Sequence, residues 1–188
     1  MLKFLARAAL VACALSVAAC ASGARPENIA ASVQPAASFD ASHQLHEALA
    51  VRNVQGGSDT NPLWMSNISD EQFRAGLEQS LRNAGLLADS PALARYEVVA
   101  SLQDLRRPMA GLDMTVTMTV RYSLVPIGGG EPIFDEVVSA SGTGRMSDAF
   151  VGVERLRIAN EAAARENISE FLRRLRDRVP AATVAPVS

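Results

Sequence analysis

Residues Met114 to Leu124 alternate without a break. Met114, Val116, Met118, Val120, Tyr122 and Leu124 fall on one side, and Thr115, Thr117, Thr119, Arg121 and Ser123 on the other. Successive side chains of a strand point to opposite faces, so this period of two specifies a β-strand and not a helix. It also specifies a sheet with one apolar face and one wet face. The apolar face must be covered, and the rest of the chain has to supply the cover.

Two stretches have the pattern of covering helices. Ser69 and Gln72 form a capping box, and Ile68 and Phe73 are placed as a hydrophobic staple. Phe73, Leu77, Leu81 and Ala84 then share one face, and Gly85 with Leu86 reads as a C-terminal stop. Glu78 and Arg82 are spaced to pair on the exposed side. The second helix is expected from a Ser147 cap to about Arg178, ended by Pro180. Its stripe is Ala164, Ile168, Phe171, Leu172, Leu175 and Val179. Projected backward, that stripe meets Arg157, Asn160 and Glu161, and Arg157 and Glu161 are spaced to pair. Further strands are expected at His43–Val54, at Tyr96–Gln103 and at Ile133–Gly142, the last with a bulge near Asp135 and Glu136. Pro126 to Pro132 forms a hairpin loop. The order strand, helix, three strands, helix gives an α+β fold, a two-layer sandwich. It has a mainly antiparallel sheet of about four strands with two helices packed on one face (βαβββα).

The N-terminus carries a different kind of signal. Lys3 and Arg7 precede an uncharged, Ala-rich run from Ala8 to Ala19, which is too short to span a bilayer. Val17-Ala18-Ala19-Cys20 resembles a lipobox, where signal peptidase cuts between Ala19 and Cys20 and the cysteine receives lipid. A cut before Cys13 leaves too short an apolar segment. Ala21 and Ser22 follow with no Asp, which by resemblance to enteric sorting favours the outer membrane. The expected organisation is a signal peptide at 1–19, a lipidated Cys20 with a flexible tether to residue 42, one periplasmic domain at 43–179, and a disordered tail at 180–188.

Composition narrows the function classes. After cleavage there remain 16 arginines, no lysine and 20 acids, a net charge of −4. That is a poor footprint for nucleic acid. The one remaining thiol is Cys20, so neither a disulfide nor a cysteine metal site is expected. His43 and His46 lack the further ligands a metal needs and read as surface residues. No Gly-x-Ser-x-Gly elbow occurs. Gly128-Gly129-Gly130 lies between strands and reads as a hairpin tip. Gly142-Thr143-Gly144-Arg145 precedes a helix, but Asp148 argues against an anion there. The candidate partner contacts are Leu63, Trp64 and Met65 in a polar loop, and the basic run Arg173, Arg174 and Arg176. The loop trio reads first as core packing and second as an interface patch. The basic run reads first as a solvated face with local pairs.

A lipobox, a tether and a small βαβββα domain together resemble the small outer-membrane lipoproteins of Gram-negative bacteria, such as the YajG-like lipoproteins and the lipopolysaccharide-assembly lipoprotein LptE. The resemblance implies a lipid-anchored accessory protein with no catalytic residues and no cofactor, facing the periplasm. It also implies attachment to the membrane through the N-terminal lipid and an envelope protein as partner. The alternative is a carrier or sensor of lipopolysaccharide or phospholipid. A carrier requires an open apolar chamber between helices and sheet. An adaptor requires a closed core and an exposed patch.

Overall fold

The computed structural model describes residues 22–32, 39–60, 66–107 and 111–179. Its elements are α1 (Pro26–Ile29), β1 (Leu49–Gln55), α2 (Asp70–Asn83), β2 (Tyr96–Arg106), β3 (Met114–Pro126), β4 (Phe134–Gly144) and α3 (Gly152–Arg178), with a 3-10 turn at Pro91–Leu93. The strands lie side by side in sequence order. β1 joins β2 in parallel, and the other neighbours are antiparallel. This mixed sheet carries α2 over β1 and α3 over β3 and β4. The fold is the expected α+β sandwich with a third, very short helix added.

The alternating stretch behaves as its period requires. Val116, Met118, Val120, Tyr122 and Leu124 are buried, while Thr115 and Arg121 are exposed. On the outer face the hydroxyls pair across to β4. Thr115 meets Thr143 at 2.9 Å, Thr117 meets Ser141 at 2.7 Å, and Thr119 donates to Ser139 at 3.2 Å. Arg121 grips Asp135 through two hydrogen bonds. The β3–β4 register is continuous, so the bulge expected near Asp135 and Glu136 is absent. Bulges fall instead at Arg52 in β1 and Gln103 in β2. The extra residue at Gln103 resets the phase of β2, so that Leu102 pairs with Val120 and Leu105 with Met118.

α2 keeps both of its expected ends. The Ser69 hydroxyl accepts from Gln72 N, and the Gln72 side chain accepts from Ser69 N. At the other end Leu86 N donates to Leu81 O and Gly85 N to Arg82 O, with Gly85 at φ 73°. That pair of bonds is a Schellman motif, which glycine enters without a Cβ penalty. The Glu78–Arg82 pair does not form. Arg82 donates to Gln79, and Glu78 faces Arg74 at 3.9 Å.

α3 starts later than its sequence suggested. Its N-cap is Val151, with no side-chain cap. Ser147 and Asp148 lie in the preceding turn, where Asp148 accepts from Arg145 N at 2.8 Å. The glycines before that turn serve packing. A Cβ on Gly142 would overlap Ala163 N and Ala162, and one on Gly144 would overlap the Arg155 carbonyl. The helix therefore rests directly on the β4 backbone. Farther along, Phe171 stacks on Tyr122 at 4.1 Å and meets Phe134 edge-on at 5.6 Å. Asn167 donates to Met118 O and Val138 O and accepts from the Tyr122 hydroxyl, so this buried polar side chain is fully engaged. Burial pushes the Tyr122 phenol pKa well up, which keeps it a neutral donor.

Two expectations about the start of the domain need correction. The segment read as a tether is packed where it is described. Ala24, Ile29, Ala31 and Phe39 are buried in the core cluster. Its low apolar periodicity reflects its brevity, since α1 has a single turn and Ile29 is its one buried apolar side chain. The first strand begins at Leu49, because residues 41–47 form turns. His43 in those turns is buried, not a surface residue. Its Nδ1 accepts from Leu45 N, so its Nε2 is the donor to Val179 O at 2.8 Å. The signal segment, Ala19 and Cys20, the loop trio Leu63, Trp64 and Met65, and the tail from residue 180 lie outside the described residues.

Candidate functional site

The domain has two ends. At the first, β1, β2 and β4 finish and β3, α2 and α3 begin. Asp70, at the start of α2, accepts from Gly57 N just past β1, and Ser58 N donates to Ile68 O. The chain also enters here. Ser22 O accepts from the Ser66 hydroxyl at 3.0 Å, and Ala24 N donates to Asn67 O at 3.4 Å. Gly23 lies against Gln72 and Thr60. From this entry end the segment runs along the groove between α2 and α3. Ile29 sits on Gly76, where a Cβ would overlap it, and Ala31 N reaches the Ser80 hydroxyl at 2.8 Å.

That groove explains the polar start of α3. Arg155, Arg157, Asn160 and Glu161 are all buried. Glu161 accepts from Arg25 N at 2.8 Å and from Asn28 Nδ2 at 2.9 Å. It also accepts from Arg157, the pairing expected from their spacing. Arg157 donates to Glu154 as well. These bonds, with Glu154 the larger influence, raise the Arg157 pKa above its ordinary value, and Arg157 in turn lowers that of Glu154. Arg165 reaches Asn28 O at 2.8 Å, and Asn160 donates to Ser66 O at 2.8 Å. A buried ion pair is tolerated when its remaining lone pairs are satisfied, and the entering segment satisfies those of Glu161.

The entry end also shows apolar side chains to solvent. Phe150 is 89% exposed and Leu112 is 71% exposed, with Met146 and Val151 beside them in the two loops before β3 and α3. Arg155 ties these loops together. Its guanidinium donates to Ala149 O at 2.9 Å and Phe150 O at 2.7 Å, and reaches Gly111 O at 3.5 Å. Met146 N donates to Asp113 across the same pair of loops. The far end has its own smaller set, Leu93, Ile127 and Ile133. Sequence patterning missed both sets because their apolar residues stand singly or as one adjacent pair in turns, without a repeat. The one local signal was Phe150-Val151 standing in a polar loop ahead of a helix.

The basic run is largely neutralised. Arg173 pairs with Glu170 and Asp177, and Arg174 with Glu170 and Glu136. Hydrogen bonds from Arg173 and Arg174 lower the Glu170 pKa to about 2. Arg178 also reaches Glu136 at 3.0 Å, and Arg176 is engaged as well. The run is therefore a paired surface, as its solvated-face reading expected. The loop trio lies outside the described residues, so only the basic run can be placed. Thr60 and Ser66, which flank the trio's segment, both lie at the entry end.

Among the described residues, the side chains of Met118, Tyr122, Ala164, Ile168 and Phe171, between the helices and the sheet, are fully buried. An open cleft of about 240 Å³ lies at the entry end, lined by Gly56, Ser58, Ile68, Leu102, Asp104 and Arg107. That is smaller than the usual small-molecule site. A wider trough of about 460 Å³ runs along α1 and α2 with Glu27, Gln79 and Asn83 on its walls. Among the described residues no group of acidic, histidine or cysteine side chains is placed to hold a metal, and no helix is long and apolar enough to cross a membrane.

No family model matches the sequence, and no curated protein matches it. Solved structures do. A candidate lipoprotein of Caulobacter crescentus superposes with a TM-score of 0.52 at 15% identity, covering 73% of this chain and 94% of that one. A Xanthomonas campestris protein of the family DUF330 superposes with a TM-score of 0.55 at 10% identity, covering 75% of this chain and 90% of that one. At such identities the likeness is one of fold. The βαβββα sandwich of this chain is a fold shared with these Gram-negative proteins.

Proposed function

We propose that this chain is a lipid-anchored accessory lipoprotein of a Gram-negative outer membrane. Cys20 carries the lipid, and the folded domain binds a protein partner in envelope biogenesis or transport. The observation that carries the reading is the lipobox Val17–Cys20 standing immediately ahead of a domain whose fold recurs in a candidate lipoprotein. The resemblance in element order to YajG-like lipoproteins and LptE supports the same class. The choice of adaptor over carrier rests on the filled helix–sheet interface and the apolar side chains exposed at both ends. A carrier of lipopolysaccharide or phospholipid needs room for acyl chains, and the fully buried Met118, Tyr122, Ile168 and Phe171 speak against such room at the described interface.

The test begins with labelled fatty acid supplied to cells expressing the full chain. Incorporation into the parent but not into Cys20→Ser, with release of the variant from the membrane fraction, is the expected result. Unlabelled parent protein, or identical fractionation of the two, overturns the anchor. Crosslinking in intact envelopes then separates the readings of the domain. A discrete protein adduct is expected. Recovery of lipid alone, in place of a protein adduct, favours the carrier.

A further inference from the structure

We propose that the entry end is a membrane-docking surface, with Leu112, Met146, Phe150 and Val151 resting in the headgroup layer of the bilayer that holds the Cys20 lipid. This inference rests on the acylation of Cys20 proposed above and adds an orientation to it. The occupant is a phospholipid surface.

The length of chain before the fold carries the argument. Ser22 is held by the Ser66 hydroxyl, Ala24 by Asn67 O, and Arg25 by Glu161, so the packed structure begins two residues after Cys20. Two residues reach at most about 7 Å. A lipid on Cys20 therefore holds the entry end at the bilayer, with no tether long enough to lift it clear. The far patch of Leu93, Ile127 and Ile133 is excluded by distance. It lies at the opposite end of a domain spanned by α3, whose 27 residues extend about 40 Å.

The loops are built for that position. Apolar side chains gain by entering an interface, but loop backbone loses unless its polar groups are bonded. Arg155 supplies those bonds from below, through the carbonyls of Ala149, Phe150 and Gly111. The exposed apolar side chains then project from loops in which these three carbonyls are already engaged. Asp113 and Asp148 take up the N–H groups of Met146 and Arg145. Their charge keeps the contact shallow, at headgroup level.

The test uses the full acylated chain, reconstituted into vesicles of phosphatidylethanolamine and phosphatidylglycerol. The mature chain has no other cysteine than the acylated one, so a polarity-sensitive fluorophore can be placed singly. It goes on Phe150→Cys or Leu112→Cys at the entry end, and on Leu93→Cys at the far end as the apolar control. Blue-shifted emission at 150 and 112, quenched by nitroxide-labelled headgroups, with water-like emission at 93, is the expected result. Protein that floats with the vesicles while all three probes stay water-like keeps the anchor and overturns the docking. Protein that fails to float overturns the anchor, and the docking with it.

Discussion

The two halves of α3 are buried by different means. From Ala164 onward the helix offers Ile168, Phe171, Leu172 and Leu175 to the sheet, and burial follows from apolar contact. Before Ala163 it buries Arg155, Arg157, Asn160 and Glu161, which no sheet would attract. On one side that half touches β4 through backbone, where Gly142 and Gly144 let it close in. On its other side the segment from Ser22 to Ala31 lies over it and bonds to Glu161 through Arg25 N and Asn28. One half is thus held by the sheet, and the other is held between the β4 backbone and the segment that enters the fold. A helix can be continuous in backbone and divided in what keeps it in place.

The largest expected effect tests the apolar half. Phe171→Ala removes the ring that stacks on Tyr122 and meets Phe134, and should cost about 3–5 kcal/mol. A urea unfolding curve would show this as a lower midpoint with an unchanged slope. Next comes the polar half. Glu161→Ala strands Arg25 N and Asn28 and leaves Arg157 with Glu154 alone, a loss of about 3 kcal/mol. Hydrogen exchange should quicken first at the amides of Arg25, Ile29 and Ala31. If the amides around Phe171 lose protection equally, the two halves open together and the contrast fails.

Gly142→Ala tests the contact between them. Its methyl group has to displace the helix at Ala162 and Ala163, at about 1–3 kcal/mol, read as a lowered melting temperature. The smallest effect concerns the surface. Hydrogen bonds from Arg121 and Ser123 lower the Asp135 pKa from 3.8 to about 2, and those from Arg173 and Arg174 lower that of Glu170 from 4.5 to about 2. Both carboxylates titrate lower in the folded state than in the unfolded chain. Their contribution is therefore present above about pH 4.5 and is lost as pH falls toward 2. Asp135→Asn and Glu170→Gln should each flatten that part of the stability profile slightly, and added salt should shrink the difference, because the pairs are exposed.

Regular periods were readable, and single contacts were not. The strand at Met114–Leu124, the capping box of Ser69 and Gln72, and the glycine stop at Gly85 all follow from local geometry, and each stands where its residues placed it. The late start of α3 is not legible because Ser147 and Asp148 satisfy a turn as well as they would a helix end. The packing of the segment from Ser22 to Ala31 is hidden for another reason. Ile29 has no periodic partner, and its seat on Gly76 belongs to a face of α2 that carries small residues instead of large ones. Likewise, Arg157, Asn160 and Glu161 broke the stripe of α3 without showing what covers them. The pairing of Arg157 with Glu161 was legible from spacing alone. The entry-end surface was the least legible part, since a side chain exposed on a loop leaves no repeat.

The β4 glycines have a mechanical meaning. With Gly142 and Gly144 bringing it close to the β4 backbone at one end, and a ring stack gripping it at the other, α3 is a stiff strut about 40 Å long. A body braced in this way keeps a fixed height. On the docked orientation proposed above, whatever meets its far end meets it at a separation from the bilayer set by the number of helical turns and not by the slack of a linker.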